Sequence, residues 1–257
     1  MVSVIISYYD RYEIKDLHRL LADMERYPAG LPFRLLIVVN STGVVHPSLN
    51  SLPTSFDYEV IRRENRGYNI GAWEEGWRYQ NDEDYLFMQH ECRIVRSGWL
   101  KAFDQVSQSP TVGLIGESLS KEWDQPWESI AEEIRYYEIY EHEIAGKPIR
   151  DRVACYQHHL KSWQIDPLKN AGHLQSLVLY TNRKILEEID GFPVGNNYGE
   201  AIASEIGISK KVEAIGYQIT QVHKKPFRYI SHPQWIQNSN PTLWNMLVAL
   251  PARFMNR

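Results

Sequence analysis

The segment DYLFMQHECRIV, residues 84–95, runs apolar through Met88 and then halts at His90-Glu91-Cys92. Such a run reads as a buried strand. Its polar trio falls at the carboxyl end, where open α/β sheets bind their ligands. Glu91 is the only carboxylate of the three, and Cys92 is a soft thiol ill-suited to a hard cation. Other polar residues close apolar runs in the same way: Asp10 after VSVIISYY, Asn40 after FRLLIVV, and Asn65 just beyond DYEVIRR. An asparagine amide offers a donor and an acceptor, which suits the edge of uracil, thymine or guanine, although asparagine also favours turns with no ligand present. Asp10 can hydrogen-bond a base or ribose, or cap the helix that follows. Gly67 and Gly71 would let backbone approach a ligand, or simply serve a turn.

Two more groups carry reactive side chains. Glu200 and Glu205 lie between Gly191-Phe192 and Gly216-Tyr217, and QVHKKPFRYISHPQW (221–235) clusters His223, Lys224, Lys225, Arg228 and His232. The basic run reads equally as an anion site and as a solvated loop. His158-His159 reads as a surface pair. Among the 8 tryptophans, Trp73, Trp99, Trp123, Trp127 and Trp163 are candidates for stacking on a sugar, or ordinary core and rim residues. HExxH, GxSxG and GxxxxGK[ST] are all absent from the sequence, so zinc-protease, α/β-hydrolase and P-loop readings have no support.

The elements that must position these groups alternate. Residues 2–9, 33–40, 57–63, 84–89 and 111–116 read as strands, the first a β-branched run buried on both faces. Ile14, Leu17, Leu20, Leu21 and Met24 recur at helical spacing between the first two. Strands alternating with helices imply an α/β fold with a mostly parallel central sheet flanked by crossover helices. In the second half, 127–146 reads as a long aromatic-rich helix, 173–182 as a strand, RKILEEIDGF as a helix stopped by Gly191, and 204–217 as a helix stopped at Gly216.

Bulk properties narrow the field. The chain has 257 residues, 43% of them hydrophobic, enough to bury a sizeable core. A net charge of −4 gives no basic field for nucleic acid or an anionic membrane. Two cysteines without a CxxC argue against a disulfide scaffold or structural zinc. The amino-terminal apolar run is too short for a signal peptide, and nothing approaches the ~20 apolar residues of a membrane span, so a cytoplasmic setting is expected. The sequon at Asn40 is accordingly discounted.

Four stretches, in this order and spacing, resemble the GT-A glycosyltransferases of the family-two type: VSVIISYYDR, LLIVVNST, RRENRGYNIGAWEEGW, and KILEEIDGF followed by SEIGISKKVEAIGYQI. The resemblance spans residues 2–222 and implies a GT-A fold, with a nucleotide-binding half over 1–116, an acceptor and catalytic half over 117–240, and a tail over 241–257. It implies that Asp10, Asn40, Asn65, Gly67 and Gly71 surround the donor nucleoside, of UDP or TDP type. In that family the fourth strand ends in an acidic motif holding Mg²⁺ or Mn²⁺ against the donor diphosphate. The matching slot is His90-Glu91-Cys92, so Glu91, His90 and His232 become the metal candidates of a weakened site. Lys224, Lys225 and Arg228 would help neutralise the diphosphate.

The same resemblance implies an inverting sugar transfer, in which a carboxylate takes the proton of the attacking hydroxyl. Counting back from Gly216-Tyr217 selects Glu205; counting forward from Gly191-Phe192 favours Glu200. A plain alternative makes Glu205 a helix-terminal acid interacting with the dipole. The acceptor class is a glycan or lipid-linked surface polysaccharide. The rivals are a nucleotide- or glycan-binding pseudoenzyme, and a nucleotidyltransferase, which the lack of a glycine-rich, basic loop in SYYDRYE disfavours. The tail PTLWNMLVALPARFMNR could dock on a membrane face, a partner subunit or the protein's own core, and Pro251 favours packing.

Overall fold

The computed structural model describes residues 1–43, 49, 51–130, 135 and 142–233. In chain order its elements are β1 (Val2–Tyr9), α1 (Lys15–Arg26), β2 (Phe33–Ser41), β3 (Tyr58–Glu64), α2 (Tyr68–Tyr79), β4 (Asp84–Gln89), β5 (Arg93–Ile94), α3 (Trp99–Ser107) and β6 (Val112–Gly116). They continue with β7 (His142–Ile144), β8 (Lys147–Ile149), α4 (Arg152–Ser162), β9 (Val178–Asn182), α5 (Arg183–Glu188), α6 (Tyr198–Ala214), β10 (Gln218–Gln221) and β11 (Ile230–Ser231).

One seven-stranded sheet of order β10-β6-β9-β4-β1-β2-β3 joins residues from both halves of the chain. Every pairing in it is parallel except those of β9, which runs antiparallel to β4 and β6. The expected mostly parallel α/β sheet is therefore present. Its central strands are continuous apolar runs because both faces are covered. Val4, Ile6, Leu35, Ile37, Leu86 and Met88 enter one core with Leu17, Leu20 and Leu21 of α1 and Trp99 and Phe103 of α3. Ile5, Leu36, Val38, Tyr85 and Phe87, which alternate with them, enter a second core with Trp73 and Trp77 of α2 and Ile208 and Val212 of α6. A third cluster of Trp123, Trp127, Cys155, Tyr156, Leu160 and Ile206 ties α4 to α6.

The order has a consequence for ligand placement. From β1 the chain steps to β2 and β3 on one side, then crosses to β4 on the other. Such a reversal leaves a crevice at the carboxyl ends of the strands, with no crossover helix to fill it.

Several expected elements are corrected. Trp127–Ser129 is a single 3₁₀ turn and His142–Ile144 is a strand paired with β8, so no continuous helix spans 127–146. The middle of that range, 131–134 and 136–141, lies outside the described residues. Only Val178–Asn182 of 173–182 is strand, the rest crossing as irregular chain with a bridge at Leu174. Helix α6 begins at Tyr198, six residues earlier than expected, because Asn197 caps it by accepting from Glu200 N. The tail over 241–257 also lies outside the described residues.

Candidate active site

A cavity of about 480 Å³ opens at the carboxyl ends of β1, β2 and β4, within the range of about 300–1,000 Å³ usual for small-molecule sites. β1 and its following turn contribute Ser7, Tyr8, Tyr9, Arg11 and Tyr12; Asn40 comes from β2 and Gln89, His90 and Glu91 from β4 and its exit; Asn65, Tyr68 and Asn69 close the side of α2. Asn40, Asn65, His90 and Glu91, chosen from the sequence as site residues, thus share one wall system. Asp10, Gly67, Gly71, Lys224, Lys225, Arg228 and His232 are not among the lining residues.

At the β2 side, Asn40 is 3% exposed, too buried to accept a glycan at its sequon. Its Nδ2 donates to Tyr68 O at 2.7 Å, and its Oδ1 accepts from Arg63 Nη1 at 2.7 Å. An amide has two donors and two acceptor sites, so one of each remains for a ligand. Burial lowers the pKa of Arg63 below its ordinary value. Asn65 makes no side-chain hydrogen bond among the described residues and faces the cavity. Gly67 and Tyr68 both have positive φ, at 75° and 54°. A Cβ on Gly67 would lie 2.1 Å from Val194, and one on Gly71 2.1 Å from Arg66 O and 3.0 Å from Arg63. These glycines serve a left-handed turn and close packing. The strain falls instead on Tyr68, a non-glycine residue in the left-handed region.

Asp10 is almost fully buried, and its carboxylate accepts from Ser41 Oγ, Thr42 N and Thr42 Oγ1. It ties the exit of β1 to the exit of β2. It neither caps α1 nor reaches the cavity.

At the β4 side the chemistry changes. Arg11 is the only cation and Glu91 the only carboxylate among the lining residues. His90 is 4% exposed, stacks on Tyr12 and meets Tyr8 edge-on. Its Nε2 has no hydrogen-bond partner among the described residues, and burial pulls its pKa down to about 4. His232 lies over the same point, its Nε2 3.9 Å from Glu91 Oε2. Burial, then the neighbouring His90, pull it down to about 4 as well. Burial raises the pKa of Glu91. Cys92 is fully buried, donates to Leu177 O, and has a thiol pushed far up by burial, so it is a core residue. Among the described residues no three His, Cys, Asp or Glu side chains converge as a metal site. Of the three metal candidates, Glu91 and His90 line the cavity and His232 approaches Glu91.

His232 reaches this point through a residue that sequence reading passed over. Glu117, at the end of β6, accepts from the backbone N–H of Arg228, Tyr229 and Ile230 at 2.8, 3.1 and 2.7 Å. That grip delivers β11 to β5, and His232 follows two residues later. The backbone of Arg228 belongs to this latch, whereas Lys224 and Lys225 are solvent-exposed.

Glu205 and Glu200 part company. Glu200 sits in the first turn of α6 and accepts from Asn196 N at 2.6 Å, which makes it the helix-terminal acid. Glu205, a turn further on, is directed at the chain before β9. Its Oε2 accepts from Ser176 N and Ser176 Oγ, both at 2.6 Å, and its Oε1 lies 3.4 Å from His173 Nε2. Burial raises its pKa, but His173 and Ser176 outweigh that and the net shift is downward. Ser176 O in turn accepts from Asn69 Nδ2 at 2.7 Å and Gln89 Nε2 at 2.9 Å, both of which line the cavity. Glu205 therefore stands one peptide behind the wall.

The five tryptophans named from the sequence stay out of the cavity lining. Trp73, Trp99, Trp123 and Trp127 are core residues. The aromatic rim consists of Tyr9, Tyr12 and Tyr68, of which Tyr12 and Tyr68 are 52% and 42% exposed. The only sequence signal for them was tyrosine in the turns that follow β1 and β3. His159 is buried, with Nε2 at Glu143 O, not half of a surface pair.

The fold is GT-A-like, as in solved glycosyltransferases. It is similar to the mannosyltransferase PcManGT from Pyrobaculum calidifontis, solved in complex with GDP-Man and Mn²⁺, with 13% identity and a TM-score of 0.55 over 93% of this chain and 60% of that one. It is also similar to residues 1–349 of TarS from S. aureus, with 12% identity and a TM-score of 0.53 over 97% of this chain and 66% of that one. TarS in complex with UDP-GlcNAc gives 13% identity and 0.51, covering 89% and 57%. The chain thus spans less than two thirds of each neighbour's length. No protein-family model and no curated protein matches the sequence. No helix among the described residues is long and apolar enough to cross a membrane.

Proposed function

We propose that the chain is a glycosyltransferase that moves a sugar from a nucleoside diphosphate to an acceptor hydroxyl with inversion at the anomeric carbon. The observation that carries this reading is the two-ended cavity, with amides and tyrosines at one end and Arg11, His90 and Glu91 at the other. Glu205 stands behind its wall as a carboxylate. The nucleoside would stack on Tyr9 or Tyr68 and present its base edge to Asn40 and Asn65. A pyrimidine donor of UDP or TDP type suits those amides, and the structural neighbours include complexes with UDP-GlcNAc and GDP-Man.

Arg11 would meet the diphosphate and offset the charge that develops as it leaves. A divalent ion would be held by the carboxylate of Glu91 and the imidazole of His232. That partial set fits Mn²⁺ better than Mg²⁺, because imidazole suits the softer ion. Such an ion, when bound, supplies Lewis-acid stabilisation of the leaving diphosphate. Glu205 takes the proton of the acceptor hydroxyl as its oxygen attacks the anomeric carbon opposite the diphosphate. A glycan or a lipid-linked sugar is the acceptor class.

Calorimetry with UDP, TDP and GDP, followed by turnover of the matching nucleotide sugars, tests the reading. Glu205→Gln should lose ~10²–10⁴-fold in turnover with donor affinity unchanged. No nucleotide binding at millimolar concentration would overturn it. One observation favours a second reading, a nucleotide-binding protein without turnover. Both oxygens of Glu205 already have protein partners, and among the described residues Glu91 is the only carboxylate lining the cavity. Tight UDP binding with no turnover of any nucleotide sugar would select it.

A further inference from the structure

Glu117 is 1% exposed at the end of β6 and is not among the residues that line the cavity. It collects four successive backbone N–H groups. Its carbonyl accepts from Phe227 N at 3.3 Å, its Oε2 from Arg228 N at 2.8 Å, and its Oε1 from Tyr229 N at 3.1 Å and Ile230 N at 2.7 Å. Both carboxyl oxygens have acceptor capacity whether or not the group is protonated, so the grip needs no particular charge. Taking a carboxyl out of water is costly, and its effect here is to fix three amides of one segment in place.

The gripped segment leads directly to the cavity. β11 meets β5 over two residue pairs, Ile230 with Ile94 and Ser231 with Arg93, beside a bond from Val95 N to Tyr229 O at 2.9 Å. So short a strand pair is marginal by itself. Ile230 is fully buried, so the amide grip and an apolar anchor act on the same residue. Two residues beyond it, His232 places Nε2 3.9 Å from Glu91 Oε2, and Glu91 lines the cavity together with Arg11 and His90. Two residues reach at most about 7 Å, so where Ile230 is held decides where the imidazole can be.

We propose that Glu117 is a positioning residue for the diphosphate end of the cavity, a role that rests on the cavity being a nucleoside-diphosphate site. By gripping residues 228–230 it seats His232 against Glu91, and so sets how strongly the site holds phosphates rather than the nucleoside. A displaced imidazole leaves the Glu91 carboxylate alone at that end. Asn40 and Asn65 stand on β2 and just beyond β3, elements that the grip does not hold.

Calorimetry on the full chain with UDP and with uridine, both with Mn²⁺ present, tests this beside amide hydrogen exchange. The side chain of Glu117→Gln offers one acceptor oxygen where the carboxyl offers two, so at least one of the 228–230 amides should exchange roughly tenfold faster. UDP affinity should fall by roughly 10–100-fold, as when a residue that orients a ligand group is lost, with uridine within about twofold of wild type. His232→Ala should reproduce the UDP loss while those amides stay protected. The double variant should lose no more than either single one, a result that general loosening of the fold does not give. Losses that add would overturn action through His232, and so would unmoved UDP affinity in His232→Ala, whether or not Glu117→Gln folds. Amides that exchange as slowly in Glu117→Gln as in wild type would show that the carboxyl is not their anchor and overturn the proposal. A wild-type chain that binds no UDP would instead remove the nucleotide reading, and the role of Glu117 with it.

Discussion

Removing the side chain of Asn40 tests the nucleoside end of the cavity and the local fold together. Asn40→Ala deletes a hydrogen bond to Tyr68 O and another from Arg63, both 2.7 Å and both shielded from solvent. A neutral hydrogen bond contributes about 0.5–1.5 kcal/mol and one to a charged group about 1.5–3. The loss in stability should therefore be about 2–4.5 kcal/mol, read from urea unfolding. Asn40→Asp divides the two terms. Its carboxylate keeps the Arg63 contact as a charge-assisted pair, but meets Tyr68 O with an acceptor, so part of the loss should remain. Ligand binding gives the second readout. If the remaining donor and acceptor of Asn40 read the base edge, Asn40→Ala should weaken UDP and free uridine alike, by roughly 1–3 kcal/mol. Calorimetry on both ligands measures it. Stability within about 0.5 kcal/mol of wild type, below the range of a single hydrogen bond, would refute the structural argument. A loss confined to UDP would move Asn40 to the diphosphate end.

Further outcomes can be measured. Glu91→Ala should abolish any stimulation by Mn²⁺, and Arg11→Gln should weaken UDP while leaving uridine unchanged; full activity of Glu91→Ala in excess EDTA would leave the diphosphate to cations alone. Burial pushes Glu117 up to about 7 from the ordinary 4.5 despite its three N–H donors. A raised carboxyl pKa means the folded state holds its proton longer than the unfolded chain. The associated stability is therefore present below pH 4.5 and lost as pH rises to about 7, by about 3 kcal/mol. Unfolding curves across that window should show the loss in wild type and not in Glu117→Gln. Liposome flotation of the full chain against a truncation after residue 240, once circular dichroism shows the truncation folded, distinguishes a membrane-docking tail from one that packs on protein; co-flotation of the full chain alone selects the membrane.

The central sheet was legible because its strands are covered on both faces. VSVIISYY and FRLLIVVN must be apolar nearly throughout, and nothing but a buried strand needs that over so few residues. The strand ends were legible for the complementary reason: Asn40 and His90 interrupt those runs, and both line the cavity. The start of α6 was missed since Asn197 follows Asn196 in a polar turn, and only the bond from Glu200 N shows which of them caps. That six-residue error made Glu205 resemble a terminal acid, a role the fold gives to Glu200.

What the sequence determined by itself was a mostly parallel sheet, the succession of its strands along the chain and the positions at which polar groups leave them, all consequences of periodicity and burial along the local chain. Tertiary structure decided which side chains converge. Arg11 and Glu91 line one cavity, Glu117 grips a turn 111 to 113 residues away, and Ser176 links Glu205 to Asn69 and Gln89. It also buried Trp73, Trp99, Trp123 and Trp127 and left Tyr12 and Tyr68 at the rim. These facts depend on contacts between elements far apart in the chain. A residue's type limits what it can do, but its partners are set by how helices pack on the two faces of the sheet, which no local pattern encodes.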